Sequence, residues 1–197
     1  MMSNPQQQHW KPLTHLIKYV TDTPDRGLTL APNHIWNGDM NFELRITGRS
    51  DSDYAANTDD QRSISGSRVF IEGAPACFRS DTQKFVTLSV TELESGAGVS
   101  TAQDMMYCYM IITSLELKVE LPMVLEIDKK GAVDYLANNY TVDGRTRHLD
   151  VKFIFLRELK EQGLLVIKHV PGSENDADIF TKNVTASIFK KHLPLYV

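Results

Sequence analysis

The sequence predicts a mixed α/β fold built on one five-stranded sheet, with three antiparallel strands, two more reached through helices, and helices on both faces. Three patterns point to it. Short runs of alternating apolar and polar residues crowd the first half of the chain, as half-buried strands do. A long helical stretch then runs from Ser89 to about Leu115. After it, two apolar runs, Met123 to Ile127 and Leu164 to Val170, are separated by helical periodicity, which is the signature of strands joined by crossover helices. The resulting order is βββ-α-β-α-α-β-α.

Asn4, Pro5 and Gln7 stand as N-cap, N1 and N3 of a first helix. Trp10, Leu13, Ile17 and Val20 continue it at helical spacing, and Pro12 should kink it or delay its start. Thr23 to Gly27 is a turn, Leu28 and Leu30 suggest a short strand, and the loop-like stretch from Ala31 to Asn41 marks a subdomain boundary. Phe42, Leu44 and Ile46 alternate with Glu43, Arg45 and Thr47 in a strand that ends at Ser50 to Asp53. A polar loop from Ala55 to Ser65 leads to a second strand, Val69 to Ile71. Gly73-Ala74-Pro75 turns into Ala76 to Arg79, and Ser80-Asp81 turns again into Phe85 to Leu88.

Ser89 and Glu92 have capping-box spacing at the start of the long helix. Gly131 to Asn138 forms a short helix, Asn139 to Gly144 a loop, and Arg145 to Gln162 a second helix that Gly163 stops as a C′ glycine. A last helix begins near Asn175, and the tail from Thr185 is weakly amphipathic.

The chain has 197 residues, 42% hydrophobic and 23% charged, enough for one domain with a small appendage. A net charge of −4 excludes binding a polyanion through the global field; any nucleic-acid contact needs a local basic patch or metal ions. Cys77 and Cys108 lack Cys-x-x-Cys spacing and suit reduced core residues of an intracellular protein, and the histidines show no zinc-type pairing with them. The longest apolar run, Met105 to Ile112, is far shorter than a membrane span, and no targeting segment is visible.

One carboxylate is out of place. Glu94 shares its helical face with Val90, Ala97, Gly98 and Thr101, a small and apolar stripe. A carboxylate aimed at a core needs a partner, which is either an Arg or Lys or a metal shared with other carboxylates. Asp51 or Asp53 ends the first long strand, Asp128 ends the fourth, and Asp176 or Asp178 opens the last helix. Groups at strand ends and helix starts can converge at one edge of such a sheet.

These segments together resemble the RNase H domain of Ty1/copia-type retrotransposon Pol polyproteins. The resemblance rests on Ser50 to Ala55, Asp59 to Gly66, Gln83-Lys84 with Leu88 to Glu94, Ile127-Asp128 before Gly131-Ala132-Val133, Gly144 to Val151, and Ala177 to Lys182. Their order and spacing cover nearly all of residues 44–184. Residues 4–30 are similar to the end of the same family's reverse transcriptase, in the thumb or connection region. The implied division is 1–41 as that remnant, 42–184 as an RNase H-like domain and 185–197 as a C-terminal tail.

The resemblance implies two Mg²⁺ ions, replaceable by Mn²⁺, held by Asp51, Glu94, Asp128 and Asp178, hydrolysing the RNA strand of RNA–DNA hybrids. Alternation along the strand does not choose between Asp51 and Asp53. Glu92 is the fallback for Glu94, and Asp176 suits a charge complementing the helix dipole. Lys84, Arg145, Arg147, His148 and Lys152 are the candidate phosphate contacts, and His169 is placed as structural. The implied partner is the upstream reverse transcriptase, in a cytoplasmic particle or the nucleus, with no membrane. Two departures stand out. Lys129 follows Asp128 where the family has Asn, and Ala56 stands where it favours Gly. They support an alternative in which the chain is a weakened or inactive remnant that binds nucleic acid or serves as a structural module. A further alternative has Glu94 and Asp128 paired with Arg or Lys.

Overall fold

A single 3-10 turn, Gln7–His9, leads into α1 (Trp10–Asp22) in the computed structural model of the chain. The structure describes residues 6–39, 41–54, 62–83, 90–137 and 147–197, with the backbone alone for 90–92, 135–137 and 147–153. Pro12 falls in the first turn of α1, where its missing N–H would have no helical partner anyway, so the helix accommodates it near its start. Asn4 and Pro5 lie outside the described residues. The short strand expected at Leu28 and Leu30 does not form. That segment is irregular, and the Thr29 N–H donates to the Tyr196 carbonyl at 2.8 Å.

The alternating run after Phe42 is two strands rather than one. β1 (Glu43–Leu44) and β2 (Ile46–Asp53) are separated at Arg45, whose N–H donates to the Glu72 carboxylate at 2.6 Å. β3 (Ile64–Ile71) and β4 (Ala74–Thr82) follow, joined by Glu72 and Gly73 at φ +51° and +81°. Two successive positive φ values give the type I′ turn that suits a right-twisted hairpin. Both strands are longer than expected: Ser65 is strand rather than loop, and Ser80-Asp81 continues β4 rather than turning. Residues 55–61, the run Phe85 to Leu88 and the Ser89 cap lie outside the described residues.

α2 (Val90–Ser114) leads to β5 (Lys118–Val119), which pairs parallel with β1. β6 (Met123–Ile127), α3 (Lys130–Ala137), α4 (Arg147–Glu161) and β7 (Leu165–His169) complete the second half. Gly163, at φ +70°, ends the α4 segment as expected of a C′ glycine. The loop at 139–144 lies outside the described residues.

The sheet order is β4-β3-β2-β6-β7, with β2–β3 and β3–β4 antiparallel and β2–β6 and β6–β7 parallel. This is the expected mixed five-stranded sheet. On one face α2 lies across β2, β3 and β6, with α3 and α4 beside it. Ile46, Val99, Met105, Leu125, Leu156 and Leu165 are buried there, each worth roughly 1.5–3 kcal/mol of transfer free energy. Gly48 permits that packing, since a Cβ on it would sit 2.5 Å from Met105 Sδ.

The C-terminal segment covers the other face. A 3-10 turn, Asp176–Phe180, packs on β2 and β3. Gly66 makes room for it, because a Cβ there would lie 2.7 Å from Thr181 Cγ2 and 3.0 Å from the Ala177 carbonyl. The expected last helix at Asn175 is therefore this short turn. Residues 185–197 are not a loose tail: they form α5 (Ala186–His192) and a 3-10 turn, Leu193–Leu195. Tyr196 then packs edge-on against Phe70 and Phe180, at 5.5 and 5.8 Å between ring centroids.

Candidate functional site

Strand β2 is central, so its last residues are buried from both sides. Ser50 and Ser52 point to the α2 face that Gly48 occupies, and Asp51 points to the 3-10 side, opposite Gly66 in the register. Asp51 is 1% exposed. The turn that meets it is pinned by Asn175, whose Nδ2 donates to the Ser50 carbonyl at 3.0 Å while its Oδ1 accepts from the Ala177 N–H at 3.3 Å. Asp178 rides on this turn, and Asp128 follows the last residue of β6, the parallel neighbour of β2.

Three of the four expected ligands converge. Asp51, Asp128 and Asp178 each offer a carboxylate oxygen, and these atoms all lie within 4.8 Å of one another. The Thr181 hydroxyl donates to Asp51 Oδ2, which fixes that carboxylate. The Lys182 ammonium bridges Asp51 Oδ1 at 3.2 Å and Asp178 Oδ1 at 2.9 Å.

The fourth, Glu94, approaches from α2 beside Ser52 and stands outside that 4.8 Å group. It is 4% exposed, and its Oε2 is buried with no hydrogen-bond partner among the described residues, as is Ser52 Oγ. Burial, together with the charges of Asp128 and Asp51, pushes the Glu94 carboxyl up to about 8, although nearby Ser52 eases it. Burial and Asp51 also raise Asp128, whose Oδ1 likewise has no hydrogen-bond partner among the described residues. Asp178 rises to about 6 through burial and Asp51, against the pull of Lys182. Mutual repulsion and unpaired hard oxygens are what a divalent oxygen-seeking cation relieves, so the residues present fit such an ion. Neither Glu94 nor Asp128 makes an ion pair with a described Arg or Lys.

Asp176, the rival for the last position, does something else. It is fully buried and receives Arg49 Nη1 at 2.8 Å, Arg68 Nε at 3.0 Å and the Tyr196 hydroxyl at 2.8 Å. Burial alone would raise its carboxyl, but the two arginines and the tyrosine hold it below the usual carboxylate range. Asp53 lines an adjacent groove with Lys182 and Asn183. Lys129 is exposed and makes no ion pair with a described residue, and the cation at the cluster is Lys182. His169 Nε2 lies 3.0 Å from the Asp128 carbonyl, at the end of β7.

Lys84 and Arg145 lie outside the described residues, as do the side chains of Glu92, Arg147, His148 and Lys152. Among the residues that sequence reasoning missed are Arg49, Arg68, Thr181 and Lys182. Only the i, i+4 spacing of Asp178 and Lys182 signalled any of them.

A mixed sheet in this order, with an acidic cluster where β2 and β6 end, defines the RNase H fold. The chain superposes on the N-terminal RNase H domain of a Mycobacterium tuberculosis protein with a TM-score of 0.50 at 13% identity, over 76% of this chain and 99% of that one. LC11-RNase H1, isolated from compost and solved with an RNA/DNA hybrid, superposes with a TM-score of 0.50 at 17% identity, over 70% and 94%. No protein-family model matches the chain.

More particularly, over 96% of its length the chain is similar to Pol polyproteins of copia-type transposons. One is the retrovirus-related Pol polyprotein from transposon RE2 of Arabidopsis thaliana, 29% identical over 189 residues. The chain spans 12% of that relative's length. No described helix is long and apolar enough to cross a membrane.

Proposed function

We propose that this chain is the ribonuclease H module of a copia-type Pol polyprotein and hydrolyses the RNA strand of RNA–DNA hybrids with divalent cations. The observation that carries the reading is the convergence of Asp51, Asp128 and Asp178 within 4.8 Å, with Glu94 buried beside them and its Oε2 without a partner among the described residues. These four residues would hold the ions, Mg²⁺ with Mn²⁺ as substitute. Such ions supply Lewis acidity at the scissile phosphate and a bound water of lowered pKa.

The chain's own residues set the stage for that chemistry. Thr181 orients Asp51, and Asn175 fixes the turn that carries Asp178. Glu94, pushed up to about 8, holds a proton on its carboxyl at neutral pH, and as a carboxylate it would be one of the groups holding the ions. A hybrid as substrate is supported by the fold shared with LC11-RNase H1, which was solved with one. Proteins of this kind read groove shape and 2′-hydroxyls rather than sequence. With a net charge of −4, hybrid phosphates must be met by the cations and by local basic residues such as Lys84, Arg145, Arg147, His148 and Lys152. Residues 1–41 then correspond to the end of the reverse transcriptase, residues 42–184 to the nuclease, and the upstream polymerase is the partner, inside the cell in a cytoplasmic particle or the nucleus.

The test is cleavage of labelled RNA in a hybrid with Mg²⁺ or Mn²⁺. Asp128→Asn is expected to lower the rate by roughly 10³-fold or more, the scale of losing Lewis-acid stabilisation worth several kcal/mol, while the fold is kept. Wild-type protein that folds and binds hybrid but cuts it with neither metal overturns the reading.

A further inference from the structure

Lys182 holds a position at the cluster that neither the fold nor the proposed chemistry requires. It follows the 3-10 turn, four residues after Asp178, and its ammonium lies 2.9 Å from Asp178 Oδ1 and 3.2 Å from Asp51 Oδ1. Those are two of the three carboxylates that converge within 4.8 Å. A divalent cation held by the same oxygens and an ammonium bonded to them compete for one place, because both seek the same lone pairs and repel each other at such range.

The ammonium is also free to leave. The Lys182 side chain is 37% exposed, whereas Asp51 is 1% exposed. Beside it runs a groove of about 340 Å³ lined by Asp53, Ser80, Asn183 and Lys182 itself. A four-carbon stem with rotatable bonds can swing its head into that groove without moving the turn. The Thr181 hydroxyl on Asp51 Oδ2 keeps that carboxylate in place when the lysine departs.

We propose that Lys182 is the resident counter-cation of the metal-free cluster: it bridges Asp51 and Asp178 and offsets one of their two negative charges until a divalent ion displaces it into the adjacent groove, and so sets the concentration of metal the site needs. This rests on the reading of the cluster as a metal site. It adds that metal affinity is held down by an internal cation, and that Lys182 is a positioning residue rather than a ligand.

Two measurements test it. The first is Mn²⁺ binding followed by electron paramagnetic resonance on wild-type, Lys182→Met and Lys182→Arg proteins. Lys182→Met is expected to bind Mn²⁺ about tenfold more tightly, the scale of removing one adjacent positive charge, and Lys182→Arg to stay near wild type. The melting temperature of Lys182→Met in chelator should fall below wild type and recover on adding Mn²⁺. The second needs no variant. Amine acetylation of wild-type protein, read by mass spectrometry, should rise severalfold at Lys182 when Mg²⁺ is added. Unchanged or weaker Mn²⁺ binding by Lys182→Met, or Lys182 acetylation indifferent to Mg²⁺ in a protein that binds the ion, overturns the counter-cation role and leaves the metal site standing. Failure of the wild type and Lys182→Met alike to bind Mn²⁺ overturns both.

Discussion

Asp176 and Asp178 sit two residues apart on one 3-10 turn, yet they belong to different chemistries. Asp176 is sealed from solvent and saturated by Arg49, Arg68 and Tyr196, so its charge is held below the ordinary carboxylate range. Asp178 is 20% exposed, faces Asp51 and Asp128, and is pushed up to about 6. Residue type and turn are the same. The partner set decides: guanidinium forks make a carboxylate a strut, and neighbouring carboxylates raise it and leave it suited to a cation.

The largest effect should come from breaking the strut. Asp176→Ala leaves Arg49 and Arg68 without their shared anion in a buried setting, and is expected to cost about 3–5 kcal/mol in a denaturant melt. A loss below about 1 kcal/mol would erase the distinction between the two aspartates. The next test separates them by pH. In chelator, the folded state keeps a proton on Glu94 up to about pH 8, whereas an unfolded glutamate releases it near 4.5. Stability from this group is therefore full below pH 4.5 and is lost as pH rises toward 8. Asp178 adds a smaller slope of the same sign between 3.8 and about 6. Asp176, lowered, contributes the opposite sign, with stability present above pH 3.8 and lost as pH falls. Melts across the range from the unfolded glutamate value of 4.5 up to about 8 should show the Glu94→Gln variant flatter than wild type; identical slopes would contradict the placement of Glu94.

The smallest effect is a control that touches neither set. Gly96 has open space where an alanine methyl would stand, so Gly96→Ala should stabilise α2 by about 1 kcal/mol. Gly98→Ala should gain less or lose, since its Cβ would sit 3.0 Å from Ile127 Cδ1.

Much of this was legible in the sequence. β6 and β7 are mostly apolar runs, broken at Glu126 in one and at Lys168 and His169 in the other, as strands of a buried parallel pair tend to be, and their bounds fell within a residue of expectation. The start of β3 was not legible, because Ser65, Gly66, Ser67 and Arg68 look like loop composition. They are small or polar for a tertiary reason: Gly66 admits the 3-10 turn and Arg68 reaches Asp176. The C-terminal residues looked like a tail because scattered contacts hold them, Tyr196 on Phe70 and Phe180 and Phe189 on Tyr19, and no periodicity announces these. At the cluster, Glu94 betrayed itself by its helical face. Asp51 and Asp53 could not be separated by alternation because residues two apart on one strand point to the same face. The arginines that claim Asp176 lie more than a hundred residues away in sequence, beyond the reach of any local pattern.

The most direct test of the central claim is Mn²⁺ titration of the Asp178→Asn variant beside wild type. The variant should keep its fold and lose at least about tenfold in Mn²⁺ affinity, as befits removal of one charged carboxylate. Equal Mn²⁺ affinity in the two proteins would show that the converging carboxylates are not a metal site.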